Sequence, residues 1–169
     1  MEGKPVSESV VEISQLMMPH HANPSGNIFG GVIMSIIDNA AAIVSARHTH
    51  KNCVTASVDR LDFLSPVFVG NVVFAKASIN YVSHTSMEIG VRVEAECLIT
   101  GTHTHVASAY LTFVALDAAD KPVEIPRIIP ETEEQKRRYE EAEKRRKTRV
   151  KKIREHEQRQ QPCIARLKD

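Results

Sequence analysis

Apolar and polar positions along the chain follow a helix period once and then a strand period in four successive segments. From Gly31 to Arg47, Val32, Ile33, Ile36, Ile37, Ala40, Ala41, Ile43 and Val44 recur at i, i+3, i+4 and i+7 while the remaining positions are mostly small. That spacing predicts a helix covered on nearly every side. β-rich segments follow at Cys53–Leu64, Asn71–Val82, Ser86–Ile99 and His105–Leu116. In the third, Met87, Ile89, Val91, Val93, Ala95 and Cys97 alternate with Glu88, Gly90, Arg92, Glu94 and Glu96, the period of a half-buried strand. Pro66 with Gly70-Asn71, Ser83-His84-Thr85 and Thr100-Gly101-Thr102 supply the turns. Ahead of the helix, Val10–Met17 reads as a short β-like or amphipathic stretch, followed by the loop-forming run His20 to Asn27.

Strands in uninterrupted succession pair antiparallel, because no crossover helix separates them. Within the first long strand the phase changes: Val54, Ala56 and Val58 share one face, but Leu61 and Phe63 lie on the other. A bulge or sharp bend near Asp59-Arg60 accounts for the switch. The predicted architecture is an α+β fold in which a curved antiparallel sheet wraps one long central helix. Its open edge predicts pairing with a second copy of the chain.

Composition changes this picture little and charge changes it more. The 169 residues are 42% hydrophobic and 25% charged, too apolar for a disordered chain. The formal net charge of +1 hides two parts, since 1–130 holds 8 basic and 12 acidic residues and 131–169 holds 14 basic and 9 acidic. The boundary divides a body of net −4 from a charged tail of net +5. The tail has little apolar periodicity beyond Tyr139, Ala142, Val150 and Ile153, and its Glu140–Lys144 and Glu141–Arg145 pairs suit a helix. A solvated, partly frayed helix is the expectation. The basic run Lys144–Lys152 could instead bind nucleic acid, an acidic lipid surface or a phosphorylated ligand, but no aromatic residues interleave with its charges. No nucleic-acid partner is expected.

Cys53, Cys97 and Cys163 are too few and too widely spaced for a disulfide scaffold or a zinc ribbon, which fits a reducing compartment. The N-terminal segment has no long apolar run, so a cytoplasmic protein is expected. Ile28–Ala46 has about the length of a membrane span, but Asp38 near its middle would cost a few kcal/mol in lipid. It reads as a core helix, and no membrane association is expected.

Asp38 is the most informative residue, a carboxylate among Ile36, Ile37, Ala40, Ala41 and Ala42 on a helix that should be buried. Two readings stand side by side: an Asp bonded to a neighbouring hydroxyl or backbone group, or a general base or nucleophile in an apolar crevice. Upstream, Gly30 and Gly31 open the helix and leave backbone N–H groups free for an anion or an oxyanion. Eight residues at 1.5 Å each put Gly30 and Asp38 roughly 12 Å apart along a regular helix, so both cannot grip one atom unless the helix starts as a loop. Asn23 either forms a turn or presents its amide to a carbonyl or a water. His20-His21 and His103-Thr104-His105 lack acidic or thiolate partners at ligand spacing, so no metal is expected. Signatures of serine hydrolases, P-loop enzymes and Rossmann dehydrogenases are absent.

The run from His21 to Asp38, HANPSGNIFGGVIMSIID, resembles the start of the hotdog-fold acyl-CoA thioesterases, in particular the cytosolic acyl-CoA hydrolase group and its bacterial single-domain relatives. The likeness continues through Arg47-His48, Val54–Asp59, Pro66-Val67 with Gly70, Ser86–Ile89, Ala109–Val114 and Val123–Arg127, covering about residues 8–140. It implies a hotdog fold, dimers paired edge to edge and commonly hexamers as trimers of dimers. It also implies hydrolysis of acyl-CoA to fatty acid and CoA without a metal or other cofactor, CoA being part of substrate and product. Carried over by position, Asp38 would activate water or attack the thioester, and Asn23 would come from the facing protomer. Gly30 or Gly31 N–H would polarise the carbonyl, and Thr85, Ser86, Met87 and Arg127 would meet CoA. A hotdog dehydratase or isomerase recruiting His20 or His21, and a non-catalytic acyl-CoA sensor, are the alternatives.

Overall fold

The computed structural model describes residues 2–165. Its elements are β1 (Lys4–Pro5), β2 (Val11–Leu16), α1 (Gly30–Thr49), β3 (Asn52–Phe63), β4 (Asn71–Val82), β5 (Ser86–Cys97), β6 (Thr102–Leu116), β7 (Ile128–Ile129) and α2 (Glu133–Ala165). Five strands form one antiparallel sheet in the order β2-β4-β5-β6-β3. The Val10–Met17 stretch supplies its fifth strand, and the strand that follows the helix crosses to the opposite edge from it. β1 and β7 pair in parallel through Lys4 with Ile128 and Pro5 with Ile129, tying the start of the chain to the approach to α2.

The concave face of the sheet holds α1. Ile33, Ile36, Ile37, Ala40, Ala41 and Val44 pack against Val73, Ala75 and Ile79 of β4, Ile89, Val91 and Val93 of β5, and Ala107, Leu111 and Phe113 of β6 in one core. Burying each large aliphatic side chain stabilises the fold by roughly 1.5–3 kcal/mol, which is why a helix of membrane length lies inside a globular protein. The helix ends at His50, whose left-handed φ of 52° lets its N–H bond the Ala46 carbonyl at 2.8 Å. Coverage is less complete than the sequence predicts, because Met34, Ser35, Asn39, Ile43 and Arg47 are exposed along one face of the protomer. The sheet is simply too narrow to enclose that face.

β3 carries two one-residue bulges against β6. Thr55 and Ser57 face the consecutive residues Phe113 and Thr112, so Ala56 is extra; Val58 and Arg60 face Leu111 and Tyr110, so Asp59 is extra. Each insertion resets the side-chain alternation. The predicted break near Asp59 is therefore present, accompanied by a second at Ala56.

The tail is helical over Glu133–Ala165, and its first half packs on the body through one face. α2 lies on the outer face of the sheet, with Ala142 fully buried and Tyr139 against Tyr81 at 4.9 Å between ring centroids. Arg145 sits 4.0 Å from the Tyr110 ring centroid and bonds Glu88, which is 3% exposed, at 2.6 Å. Arg149 bonds Asp59 and Thr112. The expectation of a free appendage is corrected for this part of α2, because glycine at position 90 and polar residues on the convex face give its arginines and small residues a bed. The boundary at 130 marks a change of charge, not a gap in packing. The side chains of Ile153 and Cys163 lie outside the described residues.

Candidate active site

Asp38 projects from the middle of α1 toward β3. It is half-buried, and the hydroxyl of Thr55 donates to its Oδ1 at 2.7 Å. The bulges explain why Thr55 is in place. With Ala56 and Asp59 out of register, Thr55, Val58 and Leu61 share the concave face at intervals of three residues instead of two. Val58 and Leu61 then join Gly31, Met34, Ile37 and Leu111 around a crevice of about 310 Å³ that contains Asp38. A carboxylate in a mostly apolar crevice, fixed through one oxygen by a hydroxyl, has its second oxygen available for chemistry.

Of the two readings of Asp38, the bond to a neighbouring hydroxyl is present, and the carboxylate is half-buried where the helix pattern predicts full burial. Thr55 is the site residue that periodicity does not single out, since a threonine in a strand is ordinary; only the bulge places it opposite Asp38. Among the described residues no histidine lines the crevice. His21 is occupied elsewhere, its Nδ1 accepting from Met18 N–H at 3.1 Å.

Asn23 and Gly30 line a second crevice of about 370 Å³ with Asn27, Phe63 and Ser65. Asn23 Oδ1 accepts from Ser25 N–H at 2.9 Å and Asn27 N–H at 3.2 Å, so the side chain does form a turn, and its amide Nδ2 has no partner among the described residues. α1 is helical from Gly30 onward and has no side-chain cap at Phe29, so the Gly30 and Gly31 N–H groups have no partner among the described residues either. A Cβ on Gly31 would lie 2.3 Å from the ring of the exposed Phe29, so a larger residue there would displace that ring. A regular start leaves Gly30 and Asp38 of one chain roughly 12 Å apart, and they stand in different crevices.

The residues expected to meet CoA divide. Met87 is 1% exposed in the core and its backbone is paired with Val82 and Phe113, so it is withdrawn from ligand contact: strand alternation turns it inward. Thr85 and Ser86 sit half-buried at the β4–β5 hairpin. Arg127 is exposed, and with Tyr81, Ser83, His84, Glu124 and Tyr139 it lines a polar pocket of about 310 Å³ beside that hairpin. Burial pushes the Tyr139 hydroxyl above its ordinary range. Among the described residues no three His, Cys, Asp or Glu side chains converge at metal distance.

Comparison with known proteins places this geometry. Residues 25–100, which include Asp38 and Thr55, match the family described as "Thioesterase superfamily". A Bacillus subtilis protein named as an uncharacterized acyl-CoA thioester hydrolase, YkhA, is 43% identical over 128 residues, 76% of this chain and 74% of that one. The chain belongs to the thioesterase superfamily. A crystal structure of an apo hexameric acyl-CoA thioesterase superposes with a TM-score of 0.88 at 37% identity, covering 90% of this thioesterase and 98% of that chain. The Staphylococcus aureus acyl-CoA hydrolase, solved with butyryl coenzyme A, coenzyme A and coenzyme A disulfide, superposes at 0.84 with 35% identity over 92% of this chain and 94% of its own. That enzyme has also been solved as alanine variants of an asparagine, an aspartate and a threonine separated by 15 and 17 residues, the separations of Asn23, Asp38 and Thr55. Mammalian relatives are longer: the chain spans 25% and 38% of two that it matches.

Proposed function

We propose that the protein hydrolyses acyl-CoA thioesters to carboxylic acid and CoA in an active site shared between two protomers. The observation that carries the reading is Asp38, held by Thr55 in an apolar crevice wide enough for an acyl chain, with no histidine beside it. Elimination or isomerisation on the same fold would call for a second acid–base group there, which favours hydrolysis. The acyl-CoA substrate is that of the similar enzymes named above.

Asp38 either takes a proton from water as that water attacks the thioester carbon, or attacks the carbon itself to give a mixed anhydride that water then opens. In both routes the carbonyl becomes an oxyanion, the C–S bond breaks, and the CoA thiolate leaves and is protonated. Backbone N–H groups at Gly30 or Gly31 meet the oxyanion with the positive end of the α1 dipole behind them. Because the helix is regular and Gly30 lines the other crevice with Asn23, a Gly30 donor that faces a given Asp38 comes from the facing protomer, together with the Asn23 amide. Thr85, Ser86 and Arg127 form the CoA-facing surface, Arg127 suiting a phosphate. No cofactor takes part.

Pairing runs along β3, an edge strand with unpaired backbone groups, beside exposed Met34, Ile43, Val54, Val58 and Phe63. This surface suits a homodimer, three of which make a hexamer, in the cytoplasm. Thiol release from a chain-length series of acyl-CoA substrates tests the activity: the wild type releases CoA and Asp38→Ala does not, while CoA binding persists. Equal release by the variant would overturn the role of Asp38. A single turnover in ¹⁸O water separates the two routes, since label in the Asp38 carboxylate requires the anhydride.

A further inference from the structure

The bulge at Asp59 has a second side. While Val58 and Leu61 turn into the crevice, the Asp59 side chain turns to the convex face, where three groups hold it. Ser57 donates to Oδ1 at 2.9 Å, Thr112 of β6 donates to Oδ2 at 3.0 Å, and Arg149 of α2 bonds both Oδ2 and the Thr112 hydroxyl. The side chains of Arg149 and Asp59 are 22% and 19% exposed, so this is a largely desolvated, charge-assisted cluster and not a surface pair. β3 is an edge strand with a neighbour on one side only. Among the described residues, Arg149 is the one side chain from outside β3 and β6 that hydrogen-bonds to residues 57–60.

Resting on the acyl-CoA hydrolase reading above, we infer that Arg149 is a positioning residue for catalysis: through Asp59 and Thr112 it locks the double bulge that presents Thr55 to Asp38. The chain of contacts is short and physical. Arg149 fixes Asp59, and Asp59 fixes Ser57 and the register 57–60. That register sets the phase in which Thr55 faces the helix, and Thr55 orients the Asp38 oxygen. Loss of the guanidinium lets the bulge shift along β3, and a small displacement of a catalytic carboxylate has a large kinetic effect. The charged C-terminal helix thus acts on the active site from the opposite face of the sheet, without touching substrate.

The test uses the full chain. Arg149→Met is expected to lower kcat about tenfold or more with KM within about twofold of wild type, and Arg149→Lys to recover part of the loss. In a Thr55→Ala background, Arg149→Met should lower kcat by less than twofold further, because the contact it protects is already gone. The Glu88→Gln/Arg145→Met double variant releases the other anchor of α2 and should leave kcat unchanged. Deuterium uptake by a peptide spanning 54–63 should rise in Arg149→Met and not in the double variant, a readout independent of turnover. Wild-type kcat in Arg149→Met, an equal loss in the Thr55→Ala background, or an equal loss in the Glu88/Arg145 variant each overturns the inference while leaving the hydrolase reading intact. A wild type that releases no CoA instead overturns the hydrolase reading and the catalytic part of this one; unchanged exchange would then overturn the clamp as well.

Discussion

At the scale of single residues, the account rests on Asp38 and the hydroxyl that aims it. Asp38→Ala should lower kcat by about 10²–10⁴-fold, the usual range for removing a general base. Thr55→Ala should cost about 10–100-fold, equivalent to one hydrogen bond to a charged group, and Thr55→Ser should recover most of it. Steady-state kcat for the three variants checks both. Asp38 stands out in the sequence because a carboxylate inside an apolar helix is anomalous, and Gly30-Gly31 stands out as a helix start. Thr55 does not, because its role depends on an inserted residue that period-2 reading treats as noise, and Met87 misleads because a residue beside a turn looks available until the alternation turns it inward. His48 gives a separate prediction. It is buried with Nε2 donating to the Pro126 carbonyl at 2.7 Å and Nδ1 without a partner among the described residues, and burial holds its pKa below the usual histidine range. The unfolded chain therefore binds a proton that the folded chain refuses, so stability is full above about pH 6.5 and falls as pH drops below it. Thermal melts across that window should show a shallower slope for His48→Gln than for wild type; equal slopes would assign the pH dependence elsewhere.

At the scale of elements, α1 and the succession of four long strands are legible from periodicity because burial on one face imposes it directly. The order of strands in the sheet is not, since nothing in the local pattern tells β3 to cross to β6 rather than pair with β4. The outer helix is misread for a related reason. Its charges describe a solvated face, yet Arg145 and Arg149 are satisfied by Glu88 and Asp59, residues 57 and 90 positions away. Charge composition carries no record of such long-range pairing. The bulges make the element-scale prediction: Ala56 is the extra residue, so deleting it joins Thr55 and Ser57 opposite the consecutive Phe113 and Thr112 and leaves Thr55 on the concave face. The deletion variant should therefore keep more kcat than Thr55→Ala, and a loss as large as that of Thr55→Ala would show that the facing of Thr55 depends on more than the register.

At the scale of the whole molecule, the proposed site draws on two protomers, because Gly30 and Asn23 line a different crevice from Asp38 of the same chain. The sequence shows an open sheet edge but not which surface closes it; the exposed apolar residues beside β3 support the surface proposed above. Val54→Asp, which puts a charge at the exposed edge, should shift the sedimentation profile toward monomer and remove activity in proportion. The shared site is tested most directly by mixing two defective proteins. Asn23→Ala and Asp38→Ala homomers should each be nearly inactive. Once their subunits exchange at random, each mixed dimer holds one site with both residues intact, and acyl-CoA hydrolysis should return to about a quarter of the wild-type rate. A mixture that exchanges subunits yet stays as inactive as its components would place Asn23 and Asp38 in the same chain's site and contradict the account.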